Sequence, residues 1–123
     1  MEQTSYHSKI LGYAFENQVI KDLSVYMQAL GGKISFYRDE NGLEVDAILE
    51  FKDGSWQQLR SNLMVLKKRI TKAVKNLNDF SKKVEQSKIS KPTFMAIIVC
   101  KTINEPYQRT DGIYVIPHTC LEI

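Results

Sequence analysis

Apolar residues recur at helical spacing over residues 8–30. The residues that define this stripe are Leu11, Ala14, Phe15, Val19, Leu23, Tyr26 and Leu30. Gly31 and Gly32 follow at once, and glycine is the residue that most often ends a helix. The pattern predicts one amphipathic helix whose apolar face packs against the rest of the molecule.

Two segments after this helix have the pattern of β-strands. Residues 33–38 form the first, and residues 43–51 alternate apolar and polar side chains, which is typical of a strand with one buried face. Asn41-Gly42 between them favours a two-residue type I′ turn, because both central residues of that turn need positive φ. The two segments are therefore predicted to form a hairpin. A turn at residues 52–55 leads to Trp56, where a third strand begins.

The second half of the chain predicts one helix and two more strands. A set of apolar residues that we call the seam keeps a 4-and-3 spacing, which predicts a helix over residues 62–87. A nearly continuous apolar run over 93–100 predicts a strand buried on both faces, and 112–117 predicts a last strand after a loop at 101–111. The seam consists of Leu63, Leu66, Ile70, Ala73, Leu77, Phe80 and Val84.

The order of these elements predicts an α/β fold, in which a mixed sheet is flanked by helices in a single domain over residues 1–123. In such a domain the seam covers the chain's own sheet. Three apolar heptads are also compatible with a short coiled coil, so a homodimer built on the seam stays open as an alternative.

The charge of the chain is unevenly distributed. Its net charge is +3, yet residues 60–91 contain 10 basic and 2 acidic residues, whereas residues 1–59 contain 5 basic and 9 acidic residues. A basic block of this kind either keeps an exposed helix in solution or binds a phosphate backbone. If DNA is the partner, we expect its contacts from Lys67, Lys68, Arg69, Lys72 and Lys75.

Several function classes lack their sequence signatures. No apolar run of about 18 residues is present, so no membrane span is expected, and the N-terminal residues lack the apolar core of a signal peptide, which predicts a cytoplasmic protein. Cys100 and Cys120 are then expected to be reduced. The chain has no Gly-x-x-x-x-Gly-Lys-Ser/Thr loop for ATP, and His7 and His118 lie near opposite ends without a predicted partner.

Two carboxylates stand on the second strand of the hairpin. Glu44 and Asp46 are two residues apart, so their side chains lie on one face of the strand. Adjacent carboxylates repel each other unless water, a cation or a basic side chain neutralises them. The pair fits either a solvated strand face or half of a divalent-metal site.

The residues around this pair carry a family resemblance. The chain resembles the C-terminal domain of bacterial and archaeal AAA-type ATPases, a catalogued domain of unknown function related to the restriction-endonuclease-like PD-(D/E)XK superfamily. The resemblance implies a restriction-endonuclease-like αβββαβ core and an AAA-type ATPase module as partner. Where the seam alone predicts a helix over 62–87, the resemblance instead implies a strand to about residue 63, a loop, and a helix from about residue 69. It covers about residues 10–56 and 70–123 and is carried by GYAFENQVIKDLSVY, a GG pair, FYRDENGLEVDAILE, DGSW and the closing DGIYVIPHTCLEI.

The resemblance also implies a site. In that superfamily a helix glutamate, a strand aspartate and a Glu-x-Lys on the next strand hold Mg²⁺ and activate water. Glu16 and Asp46 match the first two positions, as catalytic and metal-binding residues, with Glu44 beside them. The Glu-x-Lys is missing, because Arg60 stands where the acid belongs and Asn62 where the lysine belongs. We expect Arg60 to neutralise Asp46 in part, and the site to be degenerate and without a cofactor; Mg²⁺ is implied only for a functional site.

A pair of compensating frameshifts over about residues 57–69 would explain the missing motif. Residues 58–62 can be encoded as CAA TTG AGA TCA AAC, and reading from the third base gives Ile-Glu-Ile-Lys. The nucleotide sequence across codons 56–72 tests this hypothesis.

The sequence therefore leads us to expect a degenerate accessory domain that binds nucleic acid or a partner protein. The alternatives are a metal-dependent DNA endonuclease and a helix-mediated dimerisation module.

Overall fold

A computed structural model describes the backbone of residues 2–62, 67–87, 89–99 and 105–118, and the side chains of residues 14–62, 69–87, 89–99 and 105–118. The elements are α1 (Glu2–Leu30), β1 (Lys33–Arg38), β2 (Glu44–Glu50), β3 (Trp56–Asn62), α2 (Lys67–Gln86), β4 (Phe94–Val99), β5 (Tyr107–Gln108) and β6 (Tyr114–Pro117). Cys100, Cys120 and the side chain of His7 lie outside the described residues.

The strands form one six-stranded mixed sheet in the order β1-β2-β3-β4-β6-β5. Strands β1, β2 and β3 are antiparallel neighbours, whereas β3, β4 and β6 run parallel. The two helices cover opposite faces, so the predicted α/β fold with a flanked mixed sheet is confirmed, as is the central place of the strand predicted at 93–100. Strand β5 lies in the segment predicted as a loop. The sequence did not indicate this strand, because two residues are too few to show an alternation of apolar and polar side chains.

Helix α1 buries a ridge of residues spaced by four. Phe15, Val19, Leu23 and Met27 pack on the sheet, and Gly31 and Gly32 end the helix as predicted. Gly32 is required there, since a Cβ would lie 2.6 Å from the carbonyl oxygen of Glu50.

Three residues predicted on the apolar stripe of α1 are exposed instead. They are Ala14, Tyr26 and Leu30. Each lies off the four-residue ridge, and Met27 takes the buried place predicted for Tyr26. The side chain of Leu11 lies outside the described residues.

Helix α2 packs the described part of the seam against the other face of the sheet. Ile70, Ala73, Leu77 and Phe80 belong to its core, so these positions are not available to a second chain. The described part of this helix runs over Lys67–Gln86, and the predicted start at residue 62 is wrong, because Asn62 pairs with Val99 of β4 as the last residue of β3. Leu63 and Leu66 lie outside the described residues.

Three hairpin connections use the same three-residue loop. In each, the residue before the loop donates its N–H to the carbonyl of the residue after it, and the loop ends in a glycine with positive φ. The predicted two-residue type I′ turn is therefore wrong: Asp39 and Leu43 close a loop over 40–42, because only Gly42 is needed in the left-handed conformation. The other two loops are 52–54 and 110–112, which end in Gly54 and Gly112.

Strand β2 contains a β-bulge. Asp46 and Ala47 together lie opposite the single residue Phe36 of β1. An extra residue of this kind changes the inward and outward alternation of the strand. Val45 therefore packs on the α2 side, whereas Ala47 and Leu49 pack on the α1 side. The prediction of one buried face is wrong for β2, since helices cover both sides of it.

Truncating the centre of the seam should destabilise the domain. Leu77 is fully buried, so we expect Leu77→Ala to lower the free energy of unfolding by about 3 kcal/mol through lost burial and a residual cavity. Lys82→Ala, on the exposed side of the same helix, should change it by less than about 0.5 kcal/mol. Urea denaturation measures both, and equal effects would contradict the assigned core face.

Candidate carboxylate site

The candidate residues lie at one edge of the sheet. The parallel strands β3, β4 and β6 all end there, and the antiparallel β2 begins there with Glu44 and Asp46. The pairing of β2 with β3 ends at Ala47 and Leu59, and beyond that pair side chains take over the contacts between the two strands. Crevices at the carboxyl ends of parallel strands are common ligand sites in α/β proteins.

Asp46 is buried in the gap where β2 and β3 separate. Its Oδ2 accepts the backbone N–H of Ser61 at 2.7 Å and the Ser61 hydroxyl at 3.2 Å, and its Oδ1 lies 3.2 Å from Nη1 of Arg60. Burial raises the pKa of Asp46 above its ordinary value, although Arg60 and the Ser61 amide both oppose the rise. The carboxylate is thus held by a charge and by hydrogen bonds that satisfy both of its oxygens.

Glu44 shares the same arginine. Nη1 of Arg60 lies 3.3 Å from Oε2 of Glu44, and Nε of Arg38 lies 3.0 Å from Oε1. Arg60 is buried, with only 10% of its side chain exposed, whereas the Arg38 side chain is 62% exposed. The expected neutralisation of Asp46 by Arg60 is therefore seen as an ion pair, and it extends to Glu44.

Glu16 lies beside this network on α1. It lines a small groove of about 200 Å³ together with Ile20, Phe36, Arg38 and Asp46. Burial raises the pKa of Glu16, and the charges of the two strand carboxylates raise it further. Among the described residues Glu16 has no ion-pair partner. The structure thus brings together the three acids singled out in the sequence.

The donor set does not fit Mg²⁺ as it stands. That ion prefers six oxygen ligands in octahedral geometry, whereas all four carboxylate oxygens of Glu44 and Asp46 already contact Arg or Ser groups. Across the described residues, no three His, Cys, Asp or Glu side chains are grouped so as to hold a metal ion. The guanidinium of Arg60 stands in the position of the neutralising cation.

A protein-family model described as Domain of unknown function (DUF4143) matches residues 11–121, which is most of the chain. The chain belongs to this family. The match confirms the domain-of-unknown-function part of the resemblance. No curated protein and no solved structure matches the DUF4143 chain.

The basic residues of this DUF4143 domain lie on the outer side of α2. Arg69, Lys72 and Lys75 are exposed, and Lys75 pairs with Asp79 at 3.0 Å one turn along the helix. Arg69 and Lys72 have no ion pair within the described residues. The side chains of Lys67 and Lys68 lie outside them, although their backbone begins α2. Neither described helix is both long and apolar enough to cross a membrane.

Sequence reasoning missed two partners near this edge. His118, for which no partner was predicted, lies with Nε2 2.6 Å from Oδ2 of Asp22, and its ring meets the edge of Phe15. The pair joins the end of β6 to α1, and no sequence spacing connects positions so far apart. Ser61 was also missed, because its backbone N–H binds Asp46 whatever its side chain is.

Asn62 does not take the place expected for a lysine in the site. Its side-chain amide instead donates to the carbonyl of Arg69 in the first turns of α2. A larger recess of about 510 Å³ lies elsewhere, lined by Trp56, Phe80 and Val84 among others, and contains none of the candidate residues. We therefore place the candidate site at the carboxylates, where charge and geometry converge.

The buried arginine should matter far more than the exposed one. Arg60→Met leaves Asp46 buried without its counter-ion, so we expect a loss of about 3 kcal/mol in unfolding free energy. The matched variant Arg38→Met should cost less than about 1 kcal/mol, since that arginine is exposed. The double variant Arg60→Met, Asp46→Asn should be about 1–3 kcal/mol more stable than the sum of the two single losses predicts, because the two side chains interact. Urea unfolding of the double-mutant cycle checks this, and additive losses would contradict it.

Glu16 should destabilise the fold when it is ionised. Because its pKa is raised, the folded state binds this proton more tightly than the unfolded chain, so stability falls as the pH rises through the folded pKa. Glu16→Gln should add about 0.5 kcal/mol at pH 7, a value discounted for solvent screening, and the gain should vanish in acid. Thermal unfolding against pH measures the difference; a gain that persists below the unfolded pKa would contradict the charge explanation.

Proposed function

We propose that this chain is a catalytically degenerate, PD-(D/E)XK nuclease-like accessory domain of a cytoplasmic AAA-type ATPase, and that it binds a nucleic-acid backbone without cutting it. The observation that carries the proposal is the position of Arg60. Its guanidinium contacts both strand carboxylates at 3.2–3.3 Å, where a metal-dependent enzyme would need a divalent cation. The wider resemblance of the sequence supports the link to a nuclease-like fold and to an ATPase.

Loss of metal chemistry follows from this contact. A guanidinium neutralises carboxylates and orients them, but it has no open coordination position for a water molecule and cannot lower the pKa of bound water as a metal ion does. Asn62, directed to the Arg69 carbonyl, offers no ammonium to position an attacking water. A metal-dependent endonuclease is therefore the weaker alternative.

Backbone binding is supported by α2. Arg69 and Lys72 are exposed and have no ion pair with any described residue, so neither has to give up such a pair to approach a phosphate. Lys75 must compete with Asp79 for its ammonium group. The seam residues Ile70, Ala73, Leu77 and Phe80 are buried on the opposite side of this helix, which keeps the basic side facing outward.

Binding should be electrostatic and should depend on α2. We expect Lys72→Glu to weaken binding to labelled duplex DNA and to lower the slope of log K against log salt by about 1, because each phosphate contact releases counter-ions. Lys75→Glu should have a smaller effect. Lys52→Glu, the same charge change in the loop between β2 and β3, is the control. Equal losses in all three variants would point to net charge rather than to a binding face.

No cleavage is expected from the unmodified chain in Mg²⁺ or Mn²⁺ on duplex, single-stranded or branched DNA. A variant with Arg60→Glu and Asn62→Lys, run beside it, tests whether the scaffold can still support the chemistry. Metal-dependent cutting by the unmodified chain that is abolished by Asp46→Asn would overturn the degenerate-site proposal. Absence of DNA binding with no cleavage would leave a partner protein as the ligand.

A further inference from the structure

Strand β1 is a long open edge of the sheet. Its six residues pair with β2 on one side and with no described strand on the other. The opposite edge, β5, has only two residues. Natural proteins usually keep such edges short or blunt them, because unpaired N–H and C=O groups recruit another strand. Here Phe36, in the middle of β1, is 68% exposed.

The pairing with β2 determines which backbone groups of β1 face outward. The N–H of Asp39 donates to the Leu43 carbonyl, and hydrogen bonds in an antiparallel ladder fall on alternate residues. The N–H and C=O groups of Ile34, Phe36 and Arg38 therefore point away from β2. The same alternation places the side chains of these three residues on the α1 face.

We propose that two copies of this chain pair through β1, antiparallel, with Phe36 opposite Phe36 of the second copy. Only this register pairs each of the three outward-facing residues of one copy with an outward-facing residue of the other. Ile34 then lies opposite Arg38. The two sheets become one continuous sheet, and the helices α1 of both copies lie on the same face of it. The seam takes no part, since its described residues lie in the core or, for Val84, pack against it.

Side chains on both faces fit the same register. On the α1 face the two Phe36 side chains lie opposite each other, each next to the groove that it lines with Ile20 of its own copy, so that the two exposed rings cover each other. On the α2 face Lys33 stands opposite Asp39 of the second copy. Asp39 already lies 3.4 Å from Lys83 in its own copy, so Lys33 adds a second unlike charge at each end of the pair. A second copy therefore pairs the open backbone of this edge, covers the exposed aromatic ring and sets an acidic side chain opposite Lys33.

The oligomeric state tests this pairing. A short strand pair is a small interface, so sedimentation equilibrium between about 1 µM and 500 µM should show the mass rising from one chain towards two. Phe36→Asp should raise the dissociation constant at least about tenfold. Tyr107→Asp makes the same change at an exposed aromatic residue on the other sheet edge and should leave the constant unchanged.

A second variant separates backbone pairing from general stickiness. Phe36→Pro removes an outward-facing N–H without breaking a hydrogen bond to β2, so it should fold, as judged by circular dichroism, and remain monomeric. In the unmodified chain the amides of Ile34, Phe36 and Arg38 should exchange more slowly as concentration rises. A monomer at every concentration, or a dimer unaffected by both Phe36 variants, would overturn the proposal.

Discussion

Burial of the Asp46 carboxylate is the constraint on which the candidate site depends. The bulge in β2 places this side chain in the gap between β2 and β3, where water is largely excluded and a lone negative charge would be costly. Arg60 and Ser61, both from β3, satisfy it. The ion pair therefore connects β2 and β3 beyond the point where their backbone hydrogen bonds end. Side-chain contacts replace backbone pairing there.

A fixed arginine and a bound metal ion solve the same electrostatic problem with different consequences. A metal ion leaves with chelators and brings its own water, whereas a guanidinium belongs to the chain and is present whenever the chain is folded. Glu16 shows what the arginine leaves unresolved, since it remains beside two carboxylates without an ion-pair partner among the described residues. The two strand carboxylates therefore have partners, whereas the helix carboxylate has no counter-ion among the described residues.

Sequence patterns predicted the elements well where a local periodicity defines them, and poorly where pairing between distant strands sets their bounds. The 33–38 strand, the end of α1 at Gly31 and the central apolar strand follow from local signals. The start of α2 does not, because Asn62, where the helix predicted from the seam begins, pairs with β4 as the last residue of β3. The neutralisation of Asp46 by Arg60 followed from charge and resemblance. The Ser61 amide and the Asp22–His118 contact did not, since a backbone donor and a long-range pair leave no trace in spacing.

The bulge at Asp46 and Ala47 also determines which sequence changes β2 can absorb. A deletion of one residue there would restore the regular alternation of side chains. Every side chain between the start of β2 and the bulge would then move to the opposite face of the sheet. Glu44 would then point towards the apolar cluster under α2, and Val45 towards the acidic groove. The loop over 40–42 can vary in length without this penalty. Within this hairpin, evolution is therefore freer to alter the tip than to alter the count of residues in the strand.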